Sequence, residues 1–165
     1  RPVRDAVWQA LPDDLVRQLL DAWAICERAS TVEHLAEVLE RPVLDSAEVW
    51  CEYHGVPIRD DGTVVLFKAV DDRYVSSREF AYLPGTTPDA PDWDPVPECG
   101  GGLHFAASVG AAIGFSPDAT RFVACPVLVA EIVVHPGGMY PQKVKAPRVA
   151  APCWEVTRKG VEVVV

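Results

Sequence analysis

The spacing of apolar residues changes abruptly near residue 60, and this change limits the folds that the chain can adopt. From Asp13 to about Arg28, apolar side chains recur every three or four residues, as on one face of a helix. After the turn at residues 60–62, the run Thr63–Val70 is almost continuously apolar, which is typical of a buried strand. The sequence therefore predicts a helical leader over residues 1–58 and a β-rich domain over residues 59–165.

Two further helices are predicted in or near the leader. Ser30 with Glu33 three residues later is a capping-box pattern, and the helix that it begins stops before Pro42. A third helix is expected over residues 46–54, with Gly55 as its left-handed C-terminal cap. All three have the pattern of packing elements.

The second half of the chain alternates strand signals with turns. Residues 84–102 are rich in Pro, Gly and Asp and predict one long ordered loop, a kind of segment that often carries function. A short strand follows at residues 102–105, and Ser108 is expected to cap a small helix that ends near Phe115. Further strands are predicted at residues 121–124, 126–134, 149–157 and 161–165. The predicted class is α+β, with the N-terminal helical segment packed on a mixed or antiparallel β-rich domain.

Composition excludes several classes of function. The net charge of −9 repels phosphate backbones, so general nucleic-acid binding is disfavoured. No apolar run approaches the roughly 18–20 residues of a membrane helix, and no signal-peptide pattern is present. Five cysteines, an odd number at scattered positions, fit reduced thiols. We therefore expect a cytoplasmic protein without a membrane partner.

The segment Cys99-Gly-Gly-Gly-Leu-His-Phe105 is the leading candidate for a functional site. Gly101 and Gly102 would let the backbone approach a ligand closely; the alternative is a tight entry into a buried strand. His104 lies between two apolar residues, so in a strand it faces the opposite side and could project into a cleft. There it could bond a ribose hydroxyl or act as a general acid or base. The alternative is a structural histidine bonded to a main-chain carbonyl.

Other residues suggest ligand contacts around this segment. Tyr82 and Trp93 flank the long loop, where they could stack on a planar ligand or pin the loop to the core. Lys68, near the end of the first predicted strand, could form a salt bridge or contact a phosphate. Residues 119–165 hold six basic residues against three acidic ones, which is enough for a local anion site.

Cysteine and histidine occur together twice, which raises a metal-binding hypothesis. Cys51 with His54 and Cys99 with His104 supply ligand types that zinc accepts. Neither spacing makes a zinc-knuckle pattern, and no residue is assigned as a metal ligand. A zinc-stabilised module is therefore kept as an alternative.

Three segments in order resemble the phage rapid-lysis IIB-like family and related actinobacterial and phage proteins. They are residues 65–70, residues 99–105, and Lys143-x-Lys145-x-x-Arg148 with a closing strand. The likeness covers roughly residues 58–157, and its most specific element is the cysteine with Gly-Leu-His. That family has no firmly assigned biochemical activity, so the resemblance implies no particular reaction. The corresponding alternative is a non-catalytic phage-type accessory or interaction protein with an unidentified protein partner, in which the glycines and His104 only stabilise the loop.

A second resemblance concerns residues 101–108 followed by Ala111, Ala112 and Phe115. This stretch is similar to the ADP-ribosyltransferase segment in which a glycine, a strand and a serine precede a helix. The resemblance implies an ADP-ribosyltransferase-like fold whose cleft binds NAD or a related small nucleotide. The cofactor-binding residues that we infer are Lys68, Tyr82, Gly101, Gly102 and Ser108, and the catalytic candidates are His104 and Glu131.

The chain departs from that family at two positions. Lys68 stands where the family has Arg or His, and Gln142-Lys143 stand where an acidic residue is expected. Glu131, Glu155 and Glu162 are the late carboxylates that remain. Transfer of ADP-ribose passes through an oxocarbenium-like centre that a nearby carboxylate stabilises. The sequence therefore predicts nucleotide binding with slow transfer, which leaves open whether the protein is an NAD-dependent ADP-ribosyltransferase.

Overall fold

One antiparallel sheet organises the part of the chain that the computed structural model describes, residues 43–136 and 140–164. Its five strands are β1 (Thr63–Val70), β2 (Leu103–Ala106), β3 (Arg121–Leu128), β4 (Lys143–Ala146) and β5 (Trp154–Val156). They lie side by side in the order β4-β2-β1-β3-β5. The predicted α+β class is confirmed.

Two α-helices, α1 (Ala47–Tyr53) and α2 (Val109–Phe115), accompany the sheet in the described residues. Both helices have a serine N-cap, because the hydroxyl oxygens of Ser46 and Ser108 accept backbone N–H groups of the first turn. The cap at Ser108 was predicted. Within the described ranges, no helix has the length and apolar character needed to cross a membrane. The helices predicted over residues 13–28 and from residue 30 lie outside those ranges.

The two faces of the sheet have different coverings. The larger core lies on one face, where Leu66, Phe105 and Val127 pack with Trp50 of α1. On the opposite face, α2 packs against small residues of the strands, including Ala69, Ala106 and Ala124. Alternation along each strand produces this division, since successive side chains point to opposite faces.

Pairing within the sheet is uneven. β1 and β3 pair along their whole length, from Thr63 opposite Leu128 to Val70 opposite Arg121. By contrast, β1 and β2 pair through a single residue pair, Phe67 with Ala106. The two strands therefore separate beyond this pair, which leaves a gap in the middle of the sheet.

The structure corrects several predicted strands. β3 runs through Pro126 without a break, because the carbonyl of Pro126 accepts from Ala150 and its nitrogen therefore faces away from β1. Residues 129–131 form a 3-10 turn where the strand was expected to continue. The strand predicted over residues 149–157 shortens to β5, and the one predicted over residues 161–165 is reduced, in its described part, to an isolated bridge at Glu162. β4 was missed.

Candidate functional site

A cleft of about 320 Å³ opens on the α2 face of the sheet, beside the gap between β1 and β2. Among the described residues that line it, none is Asp or Glu. Its lining residues include three with cationic side chains, one histidine and three with exposed or half-buried aromatic rings: Lys68, Arg78, Lys143, His104, Phe67, Phe115 and Tyr140. Lys68 borders the cleft at the gap, because its side chain leaves β1 on the main-core face, over Tyr82. The cleft is thus locally positive in a chain whose net charge is −9.

Lys68 lies in the gap between β1 and β2. Its Nζ donates a hydrogen bond of 2.8 Å to the carbonyl oxygen of His104, in place of the backbone donor that a continuous strand pair would supply. The same Nζ lies 5.4 Å from the centre of the Tyr82 ring. The pKa of Lys68 is lowered to about 8, mainly by burial; the Cys125 thiol opposes this shift, and the charges of Lys143 and Arg78 add to it. An appreciable fraction of Lys68 is therefore the neutral amine near neutral pH.

His104 lines the cleft with a largely buried imidazole whose Nε2 has no hydrogen-bond partner among the described residues. The residue is 7% exposed. Its ring stacks on that of His135, with 6.0 Å between the ring centres. Burial first, and then the charges of Lys143 and Lys68, lower the pKa of His104 to about 3. The ring is therefore neutral near pH 7 and is not an imidazolium acid.

Lys143 is held at the cleft by two aromatic rings. Its Nζ lies 5.1 Å from the centre of the Phe115 ring and 4.7 Å from that of Tyr140. The two rings meet edge to face, with their centres 5.6 Å apart. A cation over aromatic faces is stabilised without losing its charge, so Lys143 stays available to an anion.

Lys143 was not predicted individually, but it belongs to residues 119–165, where basic residues outnumber acidic ones. Two of the other basic residues there are already paired: Arg121 bonds Glu155 at 2.8 Å, and Arg148 bonds Glu131 at 2.6 Å. Lys143 is the member of this group that lines the cleft.

Arg78 was not predicted, and no sequence motif surrounds it. Its guanidinium donates to the carbonyl of Gly100 and so joins the turn at residues 76–80 to the glycine segment. This contact connects residues 22 positions apart, which explains why local sequence patterns do not reveal it.

The predicted glycine residues pack against the preceding loop and do not line the cleft. A Cβ added at Gly101 would lie 1.8 Å from the carbonyl oxygen of Asp92, and Gly102 has a φ of +117° with the Trp93 ring close by. The N–H of Gly102 donates to the Asp92 carboxylate at 3.1 Å. These contacts favour the tight-entry interpretation of the glycines, in which the loop and the strand approach too closely for a side chain.

Tyr82 and Ser108 also lie outside the cleft lining. Tyr82 is fully buried beneath Lys68 and packs edge-on against Phe105, with 6.2 Å between the ring centres; burial raises its pKa well above the usual value. Ser108 caps α2. Of the predicted site residues, the structure thus brings Lys68 and His104 together at the cleft. Tyr82 does not line the cleft, but its ring contacts the Lys68 ammonium.

The glutamates of the C-terminal third of the chain do not line the cleft, and two of them pair with arginines elsewhere. Glu131 accepts two hydrogen bonds from Arg148, at 3.1 and 2.6 Å. Glu155 accepts from Arg121 and from the hydroxyl of Tyr74, each at 2.8 Å. Neither glutamate lines the cleft, and neither does Glu162. The two catalytic candidates, His104 and Glu131, are therefore not brought together in the cleft's described lining.

The cysteines do not form a metal site in the part of the chain that the structure describes. No group of three or more His, Cys, Asp or Glu side chains there could hold a metal ion. Cys51 is buried in α1, whereas Cys99 is exposed and lines the cleft. Cys125 and Cys153 are buried thiols with their sulfur atoms 3.5 Å apart.

Comparison with known proteins gives no relative from which to transfer a function. The chain matches no protein-family model, no curated protein and no solved structure. The resemblances to the rapid-lysis IIB-like and ADP-ribosyltransferase families therefore stay predictions, and the function has to be argued from the chemistry of the cleft.

Proposed function

We propose that the cleft binds NAD or a related nucleotide through its phosphate groups, without efficient transfer of ADP-ribose. The observation that carries this proposal is the convergence of Lys68, Arg78 and Lys143 on a cleft without a carboxylate among its described lining residues. Like charges brought together repel one another, and phosphate oxygens are the common biological group that compensates such a cluster.

The remaining walls of the cleft suit the neutral parts of a nucleotide. Phe67, Phe115 and Tyr140 offer apolar and aromatic surface, on which a planar base can pack. His104 also lines the cleft, but its unpartnered Nε2 is buried, so a bond from that nitrogen to a sugar hydroxyl requires the ring to turn.

The size of the cleft also supports a nucleotide-like ligand. Its volume of about 320 Å³ lies at the lower end of small-molecule pockets, which span roughly 300–1,000 Å³. A second cleft of about 340 Å³ shares Ala69, Ser77, Phe115 and Ser116 with the first, but Asp71 and Asp118 also line it, so it suits a neutral part of the ligand and not the phosphates. Together they offer room for a ligand longer than a mononucleotide.

We propose slow transfer of ADP-ribose because no carboxylate is among the described residues that line the first cleft. Glu131 and Glu155 are each paired with an arginine elsewhere. Without a carboxylate near the reacting carbon, an oxocarbenium-like centre loses its main electrostatic stabilisation.

A non-catalytic interaction protein is the competing proposal. The packing of Gly101 and Gly102 against Asp92 and Trp93 supports it, because it gives the glycine segment a purely structural role. This alternative predicts that His104→Ala lowers the melting temperature and that no nucleotide binds.

Titration calorimetry with NAD, ADP and pyrophosphate tests the proposal. Lys143→Gln should weaken binding of all three by about ten- to a hundredfold, the range for losing one charge-assisted hydrogen bond. Lys159→Gln removes the same charge from an exposed position outside the cleft and should leave binding within about twofold. An automodification assay with NAD should show little transfer. Absence of binding by all three ligands, or equal effects of both variants, would refute the proposal.

A further inference from the structure

Lys68 has surroundings that favour a nucleophilic amine over a simple ion-pairing group. Its Nζ donates to the backbone carbonyl of His104 and lies over the Tyr82 ring. In residues 43–136 and 140–164, Lys68 belongs to none of the salt bridges, which involve Arg73, Arg121 and Arg148. Among the described residues, no carboxylate therefore forms a salt bridge with its ammonium form.

Two cationic neighbours of Lys68 act in the same direction as burial, whereas the Cys125 thiol acts in the opposite direction. Lys143 and Arg78, which line the same cleft, disfavour a third positive charge, and together with burial they lower the pKa of Lys68 to about 8. Near pH 7 this makes the free amine about two orders of magnitude more abundant than in an exposed lysine. Proteins activate lysine toward carbonyl compounds by such desolvation and by nearby cations.

We propose that Lys68 forms an imine with the carbonyl group of phosphorylated aldehydes and ketones. The ligands of the cleft are then sugar phosphates, and nucleotides that have a free reducing carbon. The inference rests on the proposed function, since Arg78 and Lys143 would bind the phosphate that brings the carbonyl to Lys68. ADP-ribose and ribose 5-phosphate belong to this class. NAD does not, because the anomeric carbons of both of its riboses are bonded to ring nitrogens.

The chemistry is a reversible condensation that needs no oxidant or metal. The lone pair of the neutral Lys68 Nζ forms a bond to the carbonyl carbon, and the carbonyl oxygen takes up a proton as the nitrogen loses one. The resulting carbinolamine expels its hydroxyl group, after protonation, as water, and the nitrogen loses its remaining proton to leave a neutral C=N bond. An added hydride reductant converts this bond to a stable secondary amine.

Reductive trapping with cyanoborohydride tests the inference on the intact chain. Wild-type protein is incubated separately with ribose 5-phosphate, ADP-ribose, NAD and the small neutral aldehyde glycolaldehyde, and adducts are located by peptide mass mapping. The chain has four lysines, Lys68, Lys143, Lys145 and Lys159, so the exposed Lys159 is an internal reference. Mapping also separates reaction at the α-amino group of the first residue.

The expected result is one dominant adduct, on Lys68, with ADP-ribose and ribose 5-phosphate. It should form at least tenfold faster there than on Lys159, pyrophosphate should suppress it, and NAD should give none. Lys68→Arg keeps a positive charge and a donor for the carbonyl of His104 but has no amine that condenses with a carbonyl, so it should abolish the adduct at residue 68. Peptide mapping of wild type decides the question even if this variant does not fold.

The outcomes separate this inference from the proposed function. If ADP-ribose binds in calorimetry but Lys68 is labelled no faster than Lys159, the imine is refuted and nucleotide binding stands. If glycolaldehyde labels Lys68 as well as the phosphorylated carbonyls do, and calorimetry shows no binding, both proposals are refuted.

Discussion

Acidification should destabilise this protein through His104, and replacing that residue with glutamine isolates the effect. His104 is buried with an unpartnered Nε2 and with Lys143, Lys68 and Arg78 nearby, so the folded state holds it neutral. Its pKa is about 3 in the folded protein and 6.5 in the unfolded chain. Between these two values the unfolded chain binds the proton and the folded protein does not, so stability falls as the pH falls.

The size of the effect follows from these two pKa values. Between pH 7 and pH 5 the unfolded state gains about 2 kcal/mol from protonation of this histidine, whereas the folded state gains almost nothing. Because the folded pKa lies well below 5, the unfolded pKa sets nearly all of this difference. His104→Gln removes the titrating group and keeps a polar side chain of similar length, so its stability should lack this component.

Urea unfolding of both proteins at pH 7 and pH 5, followed by tryptophan fluorescence, measures the effect. Wild type should lose about 2 kcal/mol more than His104→Gln over this pH step. The comparison cancels the titration of Asp61 and Asp71, whose lowered pKa values are the same in both proteins. Equal losses in the two proteins would refute the placement of a neutral, unpartnered imidazole at this site.

Three further substitutions test other parts of the structure. Gly101→Ala should lower stability by at least about 2 kcal/mol in chemical unfolding, because its Cβ would overlap the Asp92 carbonyl; a neutral result would show that the loop is not packed there. Trp50→Ala should cost about 3–5 kcal/mol in the same assay, since the ring is fully buried in the main core. Glu131→Gln should cost less than about 1 kcal/mol and leave nucleotide affinity unchanged, because its partner Arg148 lies at the surface; a loss of affinity measured by calorimetry would instead return Glu131 to the site.

Local signals in the sequence predicted the elements whose causes are local. Ser46 and Ser108 cap α1 and α2, and the positive φ of Gly55 ends the first of these helices as expected. The continuous apolar run of β1 marked a strand with both faces covered, and its bounds are those predicted. In each case a few neighbouring residues suffice to determine the conformation.

The elements that were missed depend on distant contacts. β4 has the sequence Lys-Val-Lys-Ala, and two lysines in four residues hide a strand in which Lys145 is fully buried beside the Trp93 ring. Arg78 reaches the cleft only because the turn that carries it is bonded to Gly100. A sequence pattern records the type of each residue but not which strand will lie beside it, so neither the sheet order nor the cleft could be predicted.

The cationic cleft makes the fold less stable without a ligand, and this has a consequence for Lys68. Its lowered pKa means that the protonated form is disfavoured in the folded protein, so this contribution to stability should improve as pH rises from about 8 toward 10.5. A bound phosphate would remove much of the repulsion and raise the pKa of Lys68, which works against imine formation. Capture of a carbonyl therefore requires the phosphate to lie nearer Arg78 and Lys143 than Lys68. Pyrophosphate has no carbonyl and no such constraint, so it should both raise the melting temperature and slow the labelling of Lys68 by glycolaldehyde.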